Sequence, residues 1–197
     1  MSGYFVAPIV EGHGEVQAVP ILLERILKEL HEDVYIRVNP PLRVKVGSFL
    51  KDRDYFAKYF DLAARKAKQN EKGSVLILLD CDDGCPAELG PKLAAGAAAV
   101  RPDVPVIVAL AQREFETWFL AAARSLRGVC GLPVDLEPPR GLQSIRDAKG
   151  WLSERMPLKY NEPNHQPSLT IRFSLEEAAS APSFARLRRK LHEMFSQ

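Results

Sequence analysis

At 197 residues, 46% of them hydrophobic, the chain can bury one substantial core, and its net charge of +2 lacks the strong basic field that announces nucleic acid. No apolar run reaches 18 residues, which excludes a transmembrane helix, and the N-terminus has none of the segments of a signal peptide. Three cysteines argue against a disulfide framework, so the expectation is a soluble, cytoplasmic protein.

Tyr4–Val10 reads as a buried strand, with Pro8 implying a bulge, an early loop or an edge position. After a glycine-rich turn, apolar residues at three- and four-residue spacing predict a helix over Glu15–His31. Val34–Val38 and Leu42–Val46 read as short strands around Asn39-Pro40-Pro41, and Asp52–Gln69 as a helix. Val75–Leu79 is the strongest strand, followed by an Ala-rich helix over Pro86–Val100, with Pro86 in its first turn. Val104–Ala111 is the next strand and Phe115–Leu126 the next helix. This alternation predicts an α/β fold, a mostly parallel sheet with helices on both faces, over residues 1–128.

From Val129 prolines break up the chain. Gly141–Arg155 and Pro182–Phe195 read as helices, and Lys159–Leu169 as polar and irregular. Residues 129–197 are expected to form a small C-terminal helical appendage packed on the sheet domain.

Three acidic clusters follow apolar strands: Glu11 and Glu15 around Gly12-His13-Gly14, Asp80-Cys81-Asp82-Asp83, and Glu114-Phe115-Glu116. In a parallel sheet all strand carboxyl ends share one edge, where ligands bind. Acids gathered there repel one another unless a cation or raised pKa values relieve the repulsion. Extended geometry would put Asp80 and Asp82 side by side, and Mg²⁺ prefers such oxygen ligands. Asp83-Gly84 alone would suffice for a turn. Glu15, Glu114 and Glu116 also fit the bland role of helix-start acids. His13 suits a general base, a substrate contact or a plain turn residue, and His165 reads as a solvated loop residue. Cys81 and Cys85 lack the second pair a zinc site needs, so Cys81 is read as packing under its loop. Arg186, Arg188, Arg189 and Lys190 crowd one helix, which is a solvated face or, if it borders the acidic edge, a phosphate contact.

Val10-Glu11-Gly12 after a strand, with Asp80-Cys81-Asp82 after another, resembles the Toprim fold of topoisomerases, primases and OLD-family nucleases. The Val-Glu-Gly-x-x-Glu form is most similar to the OLD branch. A closer resemblance is to the Toprim-like domain-of-unknown-function family 4276. It rests on these motifs together with Glu114-Phe115-Glu116-Thr117-Trp118, Asp147-Ala148-Lys149 and Ser183-Phe184. The loop after Asp82 reaches Gly84 one residue sooner than in topoisomerase-type Toprim sequences.

The resemblance implies Mg²⁺ or Mn²⁺ held by Glu11, Asp80 and Asp82, with Glu15 assisting. Glu116 is taken as a further ligand, and Glu11, Glu15, Asp80 and Asp82 as the catalytic set. His13, Lys149 and Arg186 are the candidate substrate contacts. The expected activity is metal-dependent phosphodiester chemistry on nucleic acid, as a nuclease component beside an ATPase in a phage-defence arrangement, with oligomerisation compatible. Two other readings are carried: a non-catalytic metal- or nucleic-acid-binding partner of an ATPase, and a haloacid-dehalogenase-like phosphatase using Asp80 as nucleophile.

Overall fold

The computed structural model describes residues 4–30, 35–69, 72–82 and 84–196. The expected helix end at His31, the strand start at Val34, and Asp83 lie outside those residues. In chain order the elements are β1 (Tyr4–Val10), α1 (Glu15–Leu30), β2 (Ile36–Val38), β3 (Leu42–Arg43), α2 (Val46–Lys51), α3 (Arg53–Ala67) and β4 (Lys72–Asp80). They continue with α4 (Pro86–Val100), β5 (Val106–Ala111), α5 (Thr117–Ala121), α6 (Ala148–Ser153), α7 (Glu162–Arg172), α8 (Leu175–Ala178) and α9 (Pro182–Phe195). The described strands pair in parallel in the order β2-β1-β4-β5, with β3 beside β1 beyond the end of β2.

Helices cover both faces of this sheet, so its strands are apolar on both sides and read as continuous runs rather than alternations. Val6, Val10, Leu76, Leu78 and Ile107 point into one core, shared with α1 and α5. Ala7, Ile9, Val75, Ile77 and Leu79 point into the other, against α2, α3 and α4. The chain after Val129 supplies the rest of the first layer, through Leu169 and Phe173 near α7 and Phe184, Leu187 and Leu191 of α9. Arg25 of α1 ties the two parts together by donating to the carbonyls of Thr170 and Phe173.

Pro8 has a specific place. Tyr4 donates to the Tyr35 carbonyl, and the Val6 and Val10 carbonyls accept from Asn39 and Val44. Even-numbered residues of β1 therefore address β2 and β3, and odd-numbered ones address β4. The nitrogen of Pro8 faces the Asn39–Pro41 gap between β2 and β3, where the neighbouring strand is already interrupted. A proline costs little there, even inside a central strand.

Four expectations change. The strand expected over Leu42–Val46 stops at Arg43, and Val46 instead opens α2. Asp52 caps the next helix, its carboxylate accepting from the N–H groups of Asp54 and Tyr55 at 3.0 Å each. The helix expected over Phe115–Leu126 is a short α5 followed by a 3-10 turn, Ala123–Leu126. The helix expected over Gly141–Arg155 is only Ala148–Ser153, after a 3-10 turn at Leu142–Ser144. The segment read as irregular contains α7. Its Pro163 lies in the first turn, Asn161 caps it, and Gln166, Pro167, Leu169 and Thr170 form its buried face.

α5 and α9 meet through a buried hydrogen bond. Trp118 is fully buried, and its indole N–H donates to the Ser183 hydroxyl at 2.9 Å. Ser183→Ala should therefore lower stability by about 1–2 kcal/mol, because the indole donor is left enclosed without an acceptor. Urea denaturation would measure it; a change below about 0.5 kcal/mol would mean that the indole finds another partner.

Candidate functional site

Strand ends place the acids of the site apart from Glu162, which comes from α7. β1 ends at Val10, and Glu11 follows at the mouth of a turn. Glu15, the first residue of α1, is buried and reaches back. Its Oε2 accepts from the N–H groups of Glu11 and Gly12, each at 3.0 Å. Burial pushes its carboxyl up to about 7, against the pull of those two donors. Glu11 is raised too, first by burial and then by the charge of Asp82.

β4 ends on Asp80, whose Oδ1 accepts from the Phe115 N–H at 2.8 Å and so anchors the loop after β5. Burial, with Glu15 and Glu116 nearby, holds this carboxyl well above the usual range. The chain then turns: Asp82 is exposed and left-handed at φ 43°, its N–H donating to the carbonyl of Arg113, itself at φ 65°. Asp80 and Asp82 therefore do not stand side by side as extended spacing would have them. The strand ends at Asp80, two residues too early for that.

Between the acids stands Lys149. Its Nζ lies 3.1 Å from Glu162 Oε1, 3.4 Å from Glu114 Oε1, 3.7 Å from Glu116 Oε2 and 3.8 Å from Asp80 Oδ2. Burial lowers its pKa, but Glu116, Asp80, Glu162 and Glu114 outweigh that and hold it above the ordinary lysine range. Glu114 also builds the platform, since its Oε2 accepts from the Ala148 and Lys149 N–H groups at the start of α6. It is a helix-start acid, but for a helix more than thirty residues away.

Glu116 is fully buried. Its Oε1 accepts from the Tyr160 hydroxyl at 2.8 Å and from Gln166 Nε2 at 3.2 Å, while Oε2 has no hydrogen bond among the described residues. Burial pushes it up to about 7, with Lys149 and Tyr160 pulling the other way.

The result is a cavity of about 290 Å³ lined by Glu11, Glu15, Asp80, Lys149, Glu162 and Gln166, with the turn Arg43–Val46 opposite. Glu116 does not line it, and neither do Asp82, His13 or Arg186. His13 is exposed on the turn, and Arg186 lies in a neighbouring cavity together with Asp82. Among the described residues no three His, Cys, Asp or Glu side chains stand close enough to share one ion. The donor chemistry nevertheless suits Mg²⁺ or Mn²⁺. Glu11, Glu15 and Asp80 offer only hard oxygens, and Glu11 Oε2 is buried without a hydrogen-bond partner. Glu116, enclosed and committed to Tyr160 and Gln166, fits a ligand role less well.

The family described as "Domain of unknown function (DUF4276)" matches residues 10–192, from the last residue of β1 to α9. The chain belongs to that family. No curated protein and no solved structure matches it. The DUF4276 match spans the whole cavity, including Glu162 and Gln166, which the sequence reading missed. The available signal was Asn161, a helix cap three residues before Asn164, but Pro163 and Pro167 obscured the helix behind it. His165 belongs to that cap as well, since its Nδ1 accepts from the Asn161 N–H at 2.8 Å; it is not a free loop residue. Cys81 is buried under its loop, its Sγ against the Gly84 carbonyl. Among the described residues no helix of this DUF4276 chain is long and apolar enough to cross a membrane.

Proposed function

We propose that this DUF4276 protein is a Mg²⁺- or Mn²⁺-dependent phosphodiester hydrolase of the cytoplasm, a nuclease component of an ATPase-linked system of phage-defence type. The observation that carries the chemistry is the convergence of Glu11, Glu15, Asp80 and Lys149 on one cavity at the carboxyl edge of the sheet. The ATPase link rests on the family resemblance alone.

Glu11, whose Oε2 has no hydrogen-bond partner among the described residues, and Asp80 would hold the cation, with waters completing its shell. A divalent ion bound there would supply a Lewis acid and a nucleophilic water at neutral pH. Glu11 or Glu15 would accept the proton of that water, burial having raised both carboxyls toward neutrality. Lys149, with about a third of its side chain exposed, offers a positive charge to a phosphate oxygen.

Calorimetry with Mn²⁺ and Mg²⁺, beside cleavage assays on DNA and RNA, tests this. Glu11→Gln and Asp80→Asn should each lower metal affinity by more than about a hundredfold, since loss of mere outer-shell partners costs 10–100-fold. Folded wild-type protein that binds neither ion would sink the reading.

One observation favours a second reading. Four carboxylates already share the ammonium of Lys149, so the cluster offsets part of its charge from within. The protein would then be a non-catalytic binding partner of an ATPase. Under it, wild type cleaves nothing with either metal, and Glu11→Gln leaves partner binding intact.

A further inference from the structure

The acidic cavity repels the phosphates it would have to receive, and a neighbouring feature carries the opposite charge. β5 is the last strand of the sheet. α4 packs on one face of the sheet and α9 on the other, leaving the free edge of β5 between them. Two cavities of about 580 and 340 Å³ lie there, and both are lined by Pro86, Ala87, Leu110 and Arg186. They form one trough. Its smaller end is lined by Asp82, two residues along the chain from Asp80, which lines the acidic cavity.

Three cations line the trough. Arg113 lies at the end near Asp82, Lys190 at the far end, and Arg186 between them, facing both cavities. Two acids, Asp82 and Glu193, accompany them. Lys190 is partly buried, and its Nζ donates to the Val108 carbonyl on the open edge of β5 at 2.8 Å, which fixes a positive charge on the floor. Arg186 is exposed.

We infer that this trough binds a single-stranded polynucleotide and leads it to the acidic cavity, which names the substrate path for the function proposed above and rests on that reading. Charge explains the polynucleotide, because phosphates need cations at their approach to an acidic centre. Width explains the single strand. Layers packed about 10 Å apart put the two helix axes about 20 Å from each other, and helix bodies about 10 Å across leave a gap of about 10 Å. One extended strand fits that gap. A duplex, whose major groove alone is about 12 Å wide, does not.

Fluorescence anisotropy with labelled dT20, rU20 and a 20-base-pair DNA duplex, in EDTA so that nothing is cleaved, tests the inference. Wild type should bind a single strand more tightly than the duplex, with dT20 and rU20 separating a DNA path from an RNA path. Arg186→Glu/Lys190→Glu should weaken binding more than about tenfold and flatten its salt dependence. Arg186→Glu alone, which breaks no hydrogen bond of the described residues, should move the same way if the double variant folds poorly. Lys58→Glu/Lys92→Glu makes the same charge change outside the trough and should bind like wild type.

Failure to bind a single strand, preference for duplex, or unchanged binding by both trough variants would overturn the inference. The two readings fail separately. Single-strand binding without metal-dependent cleavage leaves the trough and removes the hydrolase; cleavage that both trough variants retain in full does the reverse.

Discussion

Lys149→Met should destabilise the metal-free protein by about 3 kcal/mol at pH 8, and by clearly less at pH 5. Four carboxylates lie within 3.1–3.8 Å of the ammonium, and one of them, Glu116, is fully buried and cannot turn to water. Removing one partner of a buried ion pair costs about 3–5 kcal/mol, and the partial exposure of Lys149 argues for the lower end. Methionine keeps the length of the stem, so the loss reports charge more than packing.

The pH dependence follows from Glu15 and Glu116. Both are pushed up to about 7 in the folded protein, from a usual value of 4.5. Between those values the folded chain holds more protons than the unfolded one, so stability falls as pH rises through that window. Lys149 pulls both carboxyls down. Without it they titrate higher still, and the deficit is full only above their new values. Toward pH 5 they are neutral with or without Lys149, so their share of the attraction is no longer there to lose. Urea denaturation in EDTA at the two pH values measures this, and Glu116→Gln in the Lys149→Met background should recover part of the loss. An equal deficit at both pH values would mean that the ammonium is solvated and does not hold the acids together.

That dependence on Lys149 marks where the sequence stopped being legible. β1, β4 and β5 announced themselves because strands buried on both faces are continuous apolar runs, and the long α1, α3, α4 and α9 carry their own stripes. The acids after β1 and β4 could be placed on one edge by topology alone. Their neutralising partner could not. α6 is six residues long, too short to stand on local propensity, and Glu114 from the loop after β5 holds its first turn. α7 carries Pro163 and Pro167, and gains its place by packing on α1. Glu162 and Gln166 thus reach the site through tertiary contacts that leave no periodicity behind. The Asp80–Asp82 spacing misled for a related reason: side chains alternate only while the strand lasts, and this one ends at Asp80.

The contact between α1 and α7 supplies the second large effect. Gly14→Ala should cost about 3 kcal/mol, the upper end of overpacking penalties, whereas Gly12→Ala should cost less than about 1 kcal/mol. A Cβ on Gly14 would fall 2.2 Å from Gln166 Oε1, 2.6 Å from the Glu162 carbonyl oxygen and 2.8 Å from its carbon. The first atom belongs to a side chain, but that amide is buried and donates to Glu116. The other two are α7 backbone, which moves only if the helix moves. Gly14 also caps the start of α1 from just outside it, its carbonyl accepting from the Gln17 and Ala18 N–H groups, so the turn cannot simply retreat. Its φ is not positive, so the penalty is steric rather than conformational. On Gly12 the nearest atom would be Glu162 Oε2 at 3.5 Å, an ordinary contact. Urea midpoints of the two variants decide the matter. Similar small losses would show that α7 yields without cost. The expected gap would show that α7 is clamped onto the turn carrying Glu11 and Glu15, which keeps Glu162 and Gln166 at the cavity.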